Sequence, residues 1–139
     1  MATIVASSND DFNTVYKRIT EAIGDTTVLN PFYIKVNSIN IIGDSNGVLR
    51  LVYSDSTKCW YVQHLWGDKA TWISLLKAAN TELISRGEGA VPVRWRDPPN
   101  PQLNTFLKKL KIRTVIDGDI KKSINEITPV EAVSILTTM

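Results

Sequence analysis

Residues 58–112 read KCWYVQHLWGDKATWISLLKAANTELISRGEGAVPVRWRDPPNPQLNTFLKKLKI, and this stretch decides the fold of the chain. Its aromatic and β-branched residues predict a strand at Cys59–Trp66. Apolar residues at helical spacing then predict a helix from about Asp68 to Arg86, which Gly87 ends. The buried face of this helix is predicted to contain Trp72, Leu75, Leu76, Ala79 and Leu83.

The end of the same stretch predicts a strand followed by a second helix. Val91, Val93 and Trp95 alternate with polar residues, which indicates the strand. Asn100 is a natural helix N-cap, and Pro101 takes the first helical position, where its missing N–H costs no hydrogen bond. The apolar stripe of this helix is predicted to consist of Leu103, Phe106, Leu107 and Leu110.

Towards the N-terminus, the pattern predicts a strand at Thr3–Ser7, an amphipathic helix at Phe12–Ile23 and an extended region at Phe32–Val36. An antiparallel meander is expected from about residue 38 to residue 66. Its first turn contains Asn46-Gly47, and an Asn-Gly pair between β-rich runs is a strong hairpin signal.

Towards the C-terminus, a strand is predicted at Ile112–Ile116 and a turn at Asp117–Asp119. Thr128-Pro129-Val130-Glu131 is a capping-box pattern, so a short C-terminal helix should follow. No repeat, linker or low-complexity segment interrupts the sequence. We therefore predict an α+β fold, with a mixed central sheet flanked by helices, that forms a single domain over residues 1–139.

The composition excludes several classes of protein. Hydrophobic residues make up 43% and charged residues 22% of the chain, which is typical of a globular protein. No apolar run approaches the ~20 residues that cross a bilayer, and the first residues lack the basic segment of a secretory signal. We expect an intracellular (cytoplasmic) or virion location, without secretion or membrane partners. A single cysteine, Cys59, excludes an internal disulfide and a multi-cysteine metal site, so no metal ligands are predicted.

The net charge of +2 is small, but basic residues are concentrated in the second half of the chain. Most of the surplus lies at Lys108, Lys109, Lys111, Arg113, Lys121 and Lys122. One interpretation is a solvated face of a helix and strand. The other is a patch that faces phosphate groups or nucleic acid.

The predicted order of elements and the helix that begins at Asn100 resemble the GNAT-type N-acetyltransferases over most of residues 1–120. The resemblance implies a mixed, splayed central sheet and a site for acetyl-coenzyme A. In that family the last helix often begins with Asn, has a small apolar residue at its fourth position and an acid Tyr at its eighth, and ends in Gly-Phe. Asn100 and Leu103 agree with this pattern, but Leu107 stands at the tyrosine position and Lys111-Ile112 at the Gly-Phe position.

The cofactor loop of the family corresponds to Gln63–Ala70. A Gly-rich turn there lets backbone N–H groups bind a pyrophosphate at a helix N-terminus. Here only Gly67 suits that role, and Asp68 places a negative charge beside the expected anion, which Lys69 offsets in part. We therefore expect no cofactor. If acetyl-coenzyme A does bind, the expected contacts are Gly67, Lys69, Ala70 and Asn100.

A second resemblance is to small virion-assembly proteins of podophages, which carry a degenerate copy of the same module. It rests on Cys59-Trp60-Tyr61-Val62, on the aromatic strand that ends at Trp95, and on Asn100 followed by Phe106-Leu107-Lys108. This resemblance implies a non-catalytic role in a phage particle, with other virion proteins or a second copy of the chain as partners.

Several single residues were considered as sites. On a regularly alternating strand, His64 shares a face with Trp60, Val62 and Trp66, which favours packing among aromatics over a role as catalytic base. Cys59 is interpreted as a buried free thiol. Most of the four tryptophans are expected in the core. The alternative is that one or two of them are exposed in a protein interface.

The candidates for protein contact are Trp66, Arg94, Arg96, Lys108, Lys109 and Lys111. Arg94 and Arg96 are predicted to share the face of a strand opposite Trp95 and to form, with Asp97, either a polar contact surface or a solvated strand edge.

Three functions follow from these observations. The preferred hypothesis is a non-catalytic, GNAT-like binding or assembly protein of a phage particle, because Leu107 replaces the acid tyrosine and the Gly-rich loop is missing. The first alternative is an acyl-coenzyme A-dependent N-acetyltransferase with Gly67 at the pyrophosphate and His64 or a water molecule as base. The second alternative is a nucleic-acid-binding module that uses the basic residues between Lys108 and Lys122.

Overall fold

A computed structural model describes residues 3–6, 38–42 and 47–139 of the chain. The strands in these ranges are β1 (Thr3–Ala6), β2 (Ser38–Ile42), β3 (Val48–Ser54), β4 (Cys59–Trp66), β5 (Val93–Trp95), β6 (Arg113–Ile116) and β7 (Ser123–Ile127). The helices are α1 (Lys69–Ser85), α2 (Pro101–Lys108) and α3 (Pro129–Thr137). The predicted helix at Phe12–Ile23 and the predicted extended region at Phe32–Val36 lie outside the described residues.

The described strands form one mixed sheet of seven strands in the order β1-β2-β3-β4-β5-β7-β6. Strands β2 to β4 are an antiparallel meander, as predicted for residues 38–66, and β1 pairs antiparallel with β2. Strand β5 pairs with β4 in parallel, and α1 makes the crossover between them. Strands β5, β7 and β6 are again antiparallel neighbours. This mixed sheet with its three described helices agrees with the predicted α+β class.

Two features of the sheet differ from the prediction. Strand β7 was not predicted, although it holds β5 and β6 together. Strand β5 was predicted from Val91 but begins at Val93, where pairing with Trp60 starts. Because β5 has neighbours on both sides, the expected solvated strand edge at Arg94 does not exist.

The helix ends follow the predicted chemistry. Gly87 has a φ of +78°, and its N–H donates to the Ile84 carbonyl at 3.0 Å, which ends α1 in a left-handed turn. The Asn100 side chain accepts from the N–H groups of Gln102 and Leu103 at the start of α2. Thr128 and Glu131 complete the capping box of α3.

The core lies on one face of the sheet, which we call the apolar face. Leu49, Leu51, Trp60 and Leu65 contribute to it from β3 and β4, and all four are buried. The helices supply the predicted stripes, so the core also contains Trp72, Leu75, Ala79, Leu83, Leu103, Phe106, Leu107, Leu110, Ala132 and Leu136. Of the four tryptophans, Trp60, Trp72 and Trp95 are buried here, as expected for most of them.

The opposite face of β2 and β3 holds three buried polar residues, Ser38, Asn40 and Arg50. Arg50 is only 1% exposed, and its Nη1 donates to Asn40 Oδ1 at 2.9 Å. Its Nε donates to the Gln63 side chain, and Asn40 donates to the Ser38 hydroxyl. A buried cation is tolerated only when its donors find acceptors, and this network provides them.

Candidate functional site

A cleft opens where β4 and β5 diverge. The two strands pair only at Trp60–Val93 and Tyr61–Arg94, although β4 continues to Trp66. The space beyond these pairs has a volume of about 570 Å³. Its apolar lining includes Val62, Leu65, Trp95, Leu103 and Leu107, and its polar lining includes Tyr61, Gln63, Arg94 and Arg96. A cleft of this size, with an apolar floor and a few polar groups, is typical of a binding site.

A β-bulge in β4 determines which side chains face this cleft. Arg50 is opposite His64 and Leu51 is opposite Val62, so Gln63 is an extra residue that has no opposite residue in the backbone register of β3. The extra residue shifts His64 to the face of Arg50, away from Trp60 and Val62. The predicted shared face of His64 with those two residues is therefore wrong, because the prediction assumed regular alternation.

His64 stacks on Trp66, with ring centroids 4.6 Å apart and an interplanar angle of 14°. Burial, together with the positive charge of Arg50, lowers the pKa of His64 to about 4. Cys59 is buried, as predicted, and burial raises the pKa of its thiol. Neither side chain is among those that line the cleft.

The position of the acid tyrosine in the resembled family is apolar here. Leu107 is buried and lines the cleft from α2. The nearby hydroxyl of Tyr61 is engaged, because it donates to Asp117 and contacts the Thr57 hydroxyl at 2.7 Å. Burial and the hydrogen bond to Asp117 raise the pKa of Tyr61. The phenolic proton of Tyr61 is therefore used in a hydrogen bond to Asp117.

A second groove, of about 530 Å³, lies between the N-termini of α1 and α2. It brings together three of the four residues named for cofactor binding, since Gly67, Lys69 and Asn100 all line it. Ala70, the fourth, is exposed in the first turn of α1 but is not part of the lining. Lys109 also lines the groove, next to α2.

Gly67 has a packing role in this structure. Its φ is +119°, a conformation that favours glycine. A Cβ atom there would lie 3.0 Å from Thr71 Cγ2 and 3.1 Å from Gly47 Cα, so a larger residue would collide with the start of α1 and the start of β3. The one glycine that suits the cofactor loop is therefore required by the fold itself.

Asp68 occupies the N-terminus of α1. Its carboxylate accepts from the Thr71 N–H at 2.9 Å and serves as the N-cap. This hydrogen bond lowers the pKa of Asp68, so the carboxylate is ionised at neutral pH. The carboxylate therefore occupies the Thr71 N–H, and its negative charge repels an anionic ligand from this helix end.

An ion-pair network crosses the polar side of β5, β6 and β7. Arg94 donates to Asp117 at 2.8 Å and to Glu126 at 2.7 Å. Arg113 donates to the same Glu126 at 2.7 Å and to Glu131 at 2.7 Å. Asp117 is fully buried, and the network therefore supplies the charges that compensate its carboxylate.

Two carboxylates of this network, Asp117 and Glu131, are held in their charged form. Burial of Asp117 opposes ionisation, but hydrogen bonds from Tyr61, the Ile120 N–H and Arg94 outweigh it and lower its pKa to about 2. Hydrogen bonds from Arg113 and Thr128 lower the pKa of Glu131 to about 2 as well. The two arginines are charged in return, and both have raised pKa values.

Sequence reasoning missed this network, because it depends on strand pairing. Asp117 was interpreted as a turn residue, and Glu126 lies on the unpredicted strand β7. The register places Arg94 and Arg113 on either side of Glu126. Ser-Ile-Asn-Glu-Ile gives no alternation of apolar and polar residues, because Ile124 and Glu126 fall on the same face, so periodicity does not mark this strand.

The predicted contact residues divide into two groups. Arg94 is committed to two carboxylates inside the protein, and Trp66 is half-buried against His64. The remaining candidates are exposed, namely Arg96 after β5, Lys108 and Lys109 at the end of α2, and Lys111 before β6.

The described residues contain neither a metal-binding cluster nor a membrane-spanning helix. Within the described ranges, no group of three or more His, Cys, Asp and Glu side chains is arranged to hold a metal ion. Among the same residues, no helix combines the length and apolar character that a membrane crossing requires. Comparison with known proteins also gives no match, whether to a family model, a curated protein or a solved structure.

Proposed function

We propose that this chain is a non-catalytic binding or assembly protein with a GNAT-like fold, and that it acts in a phage particle. The order of described elements supports the fold, since a meander, a helix, a strand, a helix and a strand follow one another in the mixed sheet. The divergence of β4 and β5 agrees with the splayed sheet that the resemblance implies. The resemblance of Cys59–Val62 and Trp95 to small podophage virion-assembly proteins is the support for the phage assignment.

The observation that carries the non-catalytic proposal is the carboxylate of Asp68 at the N-terminus of α1. A pyrophosphate would need the free N–H groups and positive end of this helix. Here the Thr71 N–H is already bonded to Asp68, and the ionised carboxylate repels a second anion. Leu107 adds to this, because it presents no proton donor at the position of the acid tyrosine.

Thermal unfolding with and without acetyl-coenzyme A tests the proposal. A ligand at about 100 times its dissociation constant stabilises a protein by about 2.7 kcal/mol, which is a readily measured shift of the melting temperature. We expect no shift at millimolar acetyl-coenzyme A. Saturable stabilisation at micromolar concentrations would contradict the proposal. The Asp68→Asn variant, measured with the same ligand, is the matched control, because Asn keeps the N-cap of α1 and removes the negative charge of the carboxylate.

An acyl-coenzyme A-dependent N-acetyltransferase is the second candidate, and the cleft of about 570 Å³ between β4 and β5 favours it. Its base would have to be His64 or a water molecule. With a pKa of about 4 and no place in the lining of the cleft, His64 is poorly suited to take a proton at neutral pH. Release of coenzyme A over a panel of amines would support this candidate, and its absence together with absent binding would eliminate it.

A further inference from the structure

Strand β6 is at the end of the sheet among the described strands, and its neighbour there is β7. The Asp117 N–H donates to the Lys122 carbonyl at 3.0 Å, which fixes the alternation of hydrogen bonds along this pair. In an antiparallel pair, every second residue of a strand directs its N–H and C=O groups to the same neighbouring strand. Arg113 and Val115 therefore bond towards β7, and Thr114 and Ile116 direct their N–H and C=O groups outward.

Apolar side chains beside these outward groups are exposed, although the Ile112 N–H itself donates to the Glu126 carbonyl at 3.3 Å. Ile116 is 72% exposed and Ile112, just before the strand, is 48% exposed. Thr114 lies between them on the same side of the strand and is exposed too. Edge strands are usually protected by charges, prolines or a covering segment, because free edges pair with other strands. The three alternating positions Ile112, Thr114 and Ile116 carry no charge and no proline.

Positive charge lies at both ends of the strand. Lys109 and Lys111 precede β6, and Lys121 and Lys122 follow it in the turn to β7, all of them exposed. None of these lysines forms an ion pair with a residue that the structure describes. The carboxylates near the strand are used elsewhere, since Asp117, Glu126 and Glu131 bind arginines and Asp119 accepts from Ser54 and Ser56.

We propose that the outer edge of β6, which pairs with no other described strand, binds an extended, acidic segment of a partner protein, which adds to the described sheet as a further strand next to β6. Backbone groups of Thr114 and Ile116 would hold the segment, and the isoleucine side chains would contact its apolar residues. Its carboxylates would pair with Lys111, Lys121 and Lys122. This partner surface rests on the proposed binding function, and it names the chemistry of the partner.

Two other occupants fit the surface less well. A second copy of the chain would bring the lysines at the two ends of β6 close to lysines of the same charge. Single-stranded nucleic acid needs exposed aromatic rings on which bases stack. From residue 100 to residue 139 the one aromatic residue is Phe106, which is 3% exposed. Backbone pairing with an acidic strand uses the outward N–H and C=O groups, the exposed isoleucine side chains and the lysines.

The test is fluorescence anisotropy with a labelled peptide of alternating glutamate and valine. We expect saturable binding that weakens as salt is added. Thr114→Pro removes an outward N–H without removing a bond to β7, and it should weaken binding about tenfold, the value of one hydrogen bond of ~1.4 kcal/mol. Thr114→Val is the matched control, because it changes the side chain but keeps the N–H, and it should bind as the wild type does.

Several results would overturn the proposal. These are no binding at low salt, equal affinity for a lysine–valine peptide, and an unchanged affinity of a folded Thr114→Pro variant. Dimerisation that Thr114→Pro abolishes would assign the edge to a second copy. Displacement of the peptide by an oligothymidine that binds Thr114→Pro equally well would assign it to nucleic acid.

A measurement on the wild-type protein covers the case in which Thr114→Pro does not fold. Amide hydrogen exchange should slow at Thr114 and Ile116 when the glutamate–valine peptide is added, because these N–H groups become bonded. Unchanged exchange at both positions would overturn the proposal. The acetyl-coenzyme A titration remains separate, so failure of the peptide does not count as failure of the non-catalytic proposal.

Discussion

At the scale of single residues, positions that suggest a cofactor site have roles in the fold. Gly67 adopts a φ of +119° in close contact with Thr71, and Asp68 caps α1. Leu107 belongs to the buried stripe of α2. The sequence predicted that Leu107 is buried, because apolar spacing reports burial. It did not reveal why glycine is needed at residue 67, because that depends on contact with Gly47 from a distant strand.

Gly67 and Gly87 provide a matched pair of substitutions. Both have positive φ, but a Cβ at Gly87 meets no atom within 4 Å. Gly87→Ala should therefore cost about 1 kcal/mol, the strain of a left-handed residue. Gly67→Ala should cost roughly 2–3 kcal/mol or more, because it adds a collision with Thr71 and Gly47 to that strain. Urea denaturation of both variants measures the difference, and equal stabilities would contradict the packing role of Gly67.

Asp117 should be the most sensitive carboxylate of the ion-pair network. Asp117→Asn keeps the shape and removes the charge that compensates Arg94, so the free energy of unfolding should fall by roughly 2–3 kcal/mol. Asp119→Asn is the control, since Asp119 is exposed and binds only serine hydroxyls and its loss should cost no more than about 1 kcal/mol. Equal losses in chemical denaturation would show that the burial of Asp117 does not matter.

Stability should fall in two stages as the pH is lowered. The folded pKa of His64 is about 4, below its ordinary value of 6.5, so its contribution is complete above pH 6.5 and is lost towards pH 4. The folded pKa values of Asp117 and Glu131 are about 2, below 3.8 and 4.5, so their contributions are lost as the pH falls towards 2. Denaturation of His64→Gln should lack the first stage, and an unchanged profile would contradict the burial of His64.

At the scale of the elements, local signals predicted the helices well and the sheet only in part. Gly87 at the end of α1, the Asn100 cap of α2 and the capping box of α3 agree with the prediction, because such signals depend on residues within one turn. The bulge at Gln63 and strand β7 could not be predicted with the same ease, because each is defined by pairing with a distant strand. The ion-pair network depends on the same pairing.

The capping box of α3 gives a prediction at this scale. Thr128→Ala removes the hydroxyl that accepts from the Glu131 N–H, and it should destabilise the protein by about 1 kcal/mol. Ser134→Ala in the middle of α3 is the control, because this exposed position should tolerate alanine with no loss. Thermal unfolding compares the two variants. A loss at Ser134 as large as that at Thr128 would contradict a specific effect of the cap.

At the scale of the whole molecule, the core and the proposed binding surface lie in different parts of the sheet. The apolar face holds the core, and the ion-pair network of Arg94 and Arg113 holds β5, β6 and β7 together. The cleft and the groove lie near the diverging strands and the helix N-termini, while the outer edge of β6 lies at the end of the described sheet. Fold class was predictable from element order, but the partner surface required the strand order.

An NMR titration with acetyl-coenzyme A tests the central claim most directly, because it observes the N–H groups that a pyrophosphate would use. The proposal predicts no saturable change in the amide signals of Gly67–Thr71 and of Gln102 and Leu103 at millimolar ligand. The Asp68 carboxylate repels an anion and already accepts from the Thr71 N–H, and Asn100 already accepts from Gln102 and Leu103. Saturable changes at those amides at micromolar ligand would contradict it and would establish a cofactor site in the groove between α1 and α2.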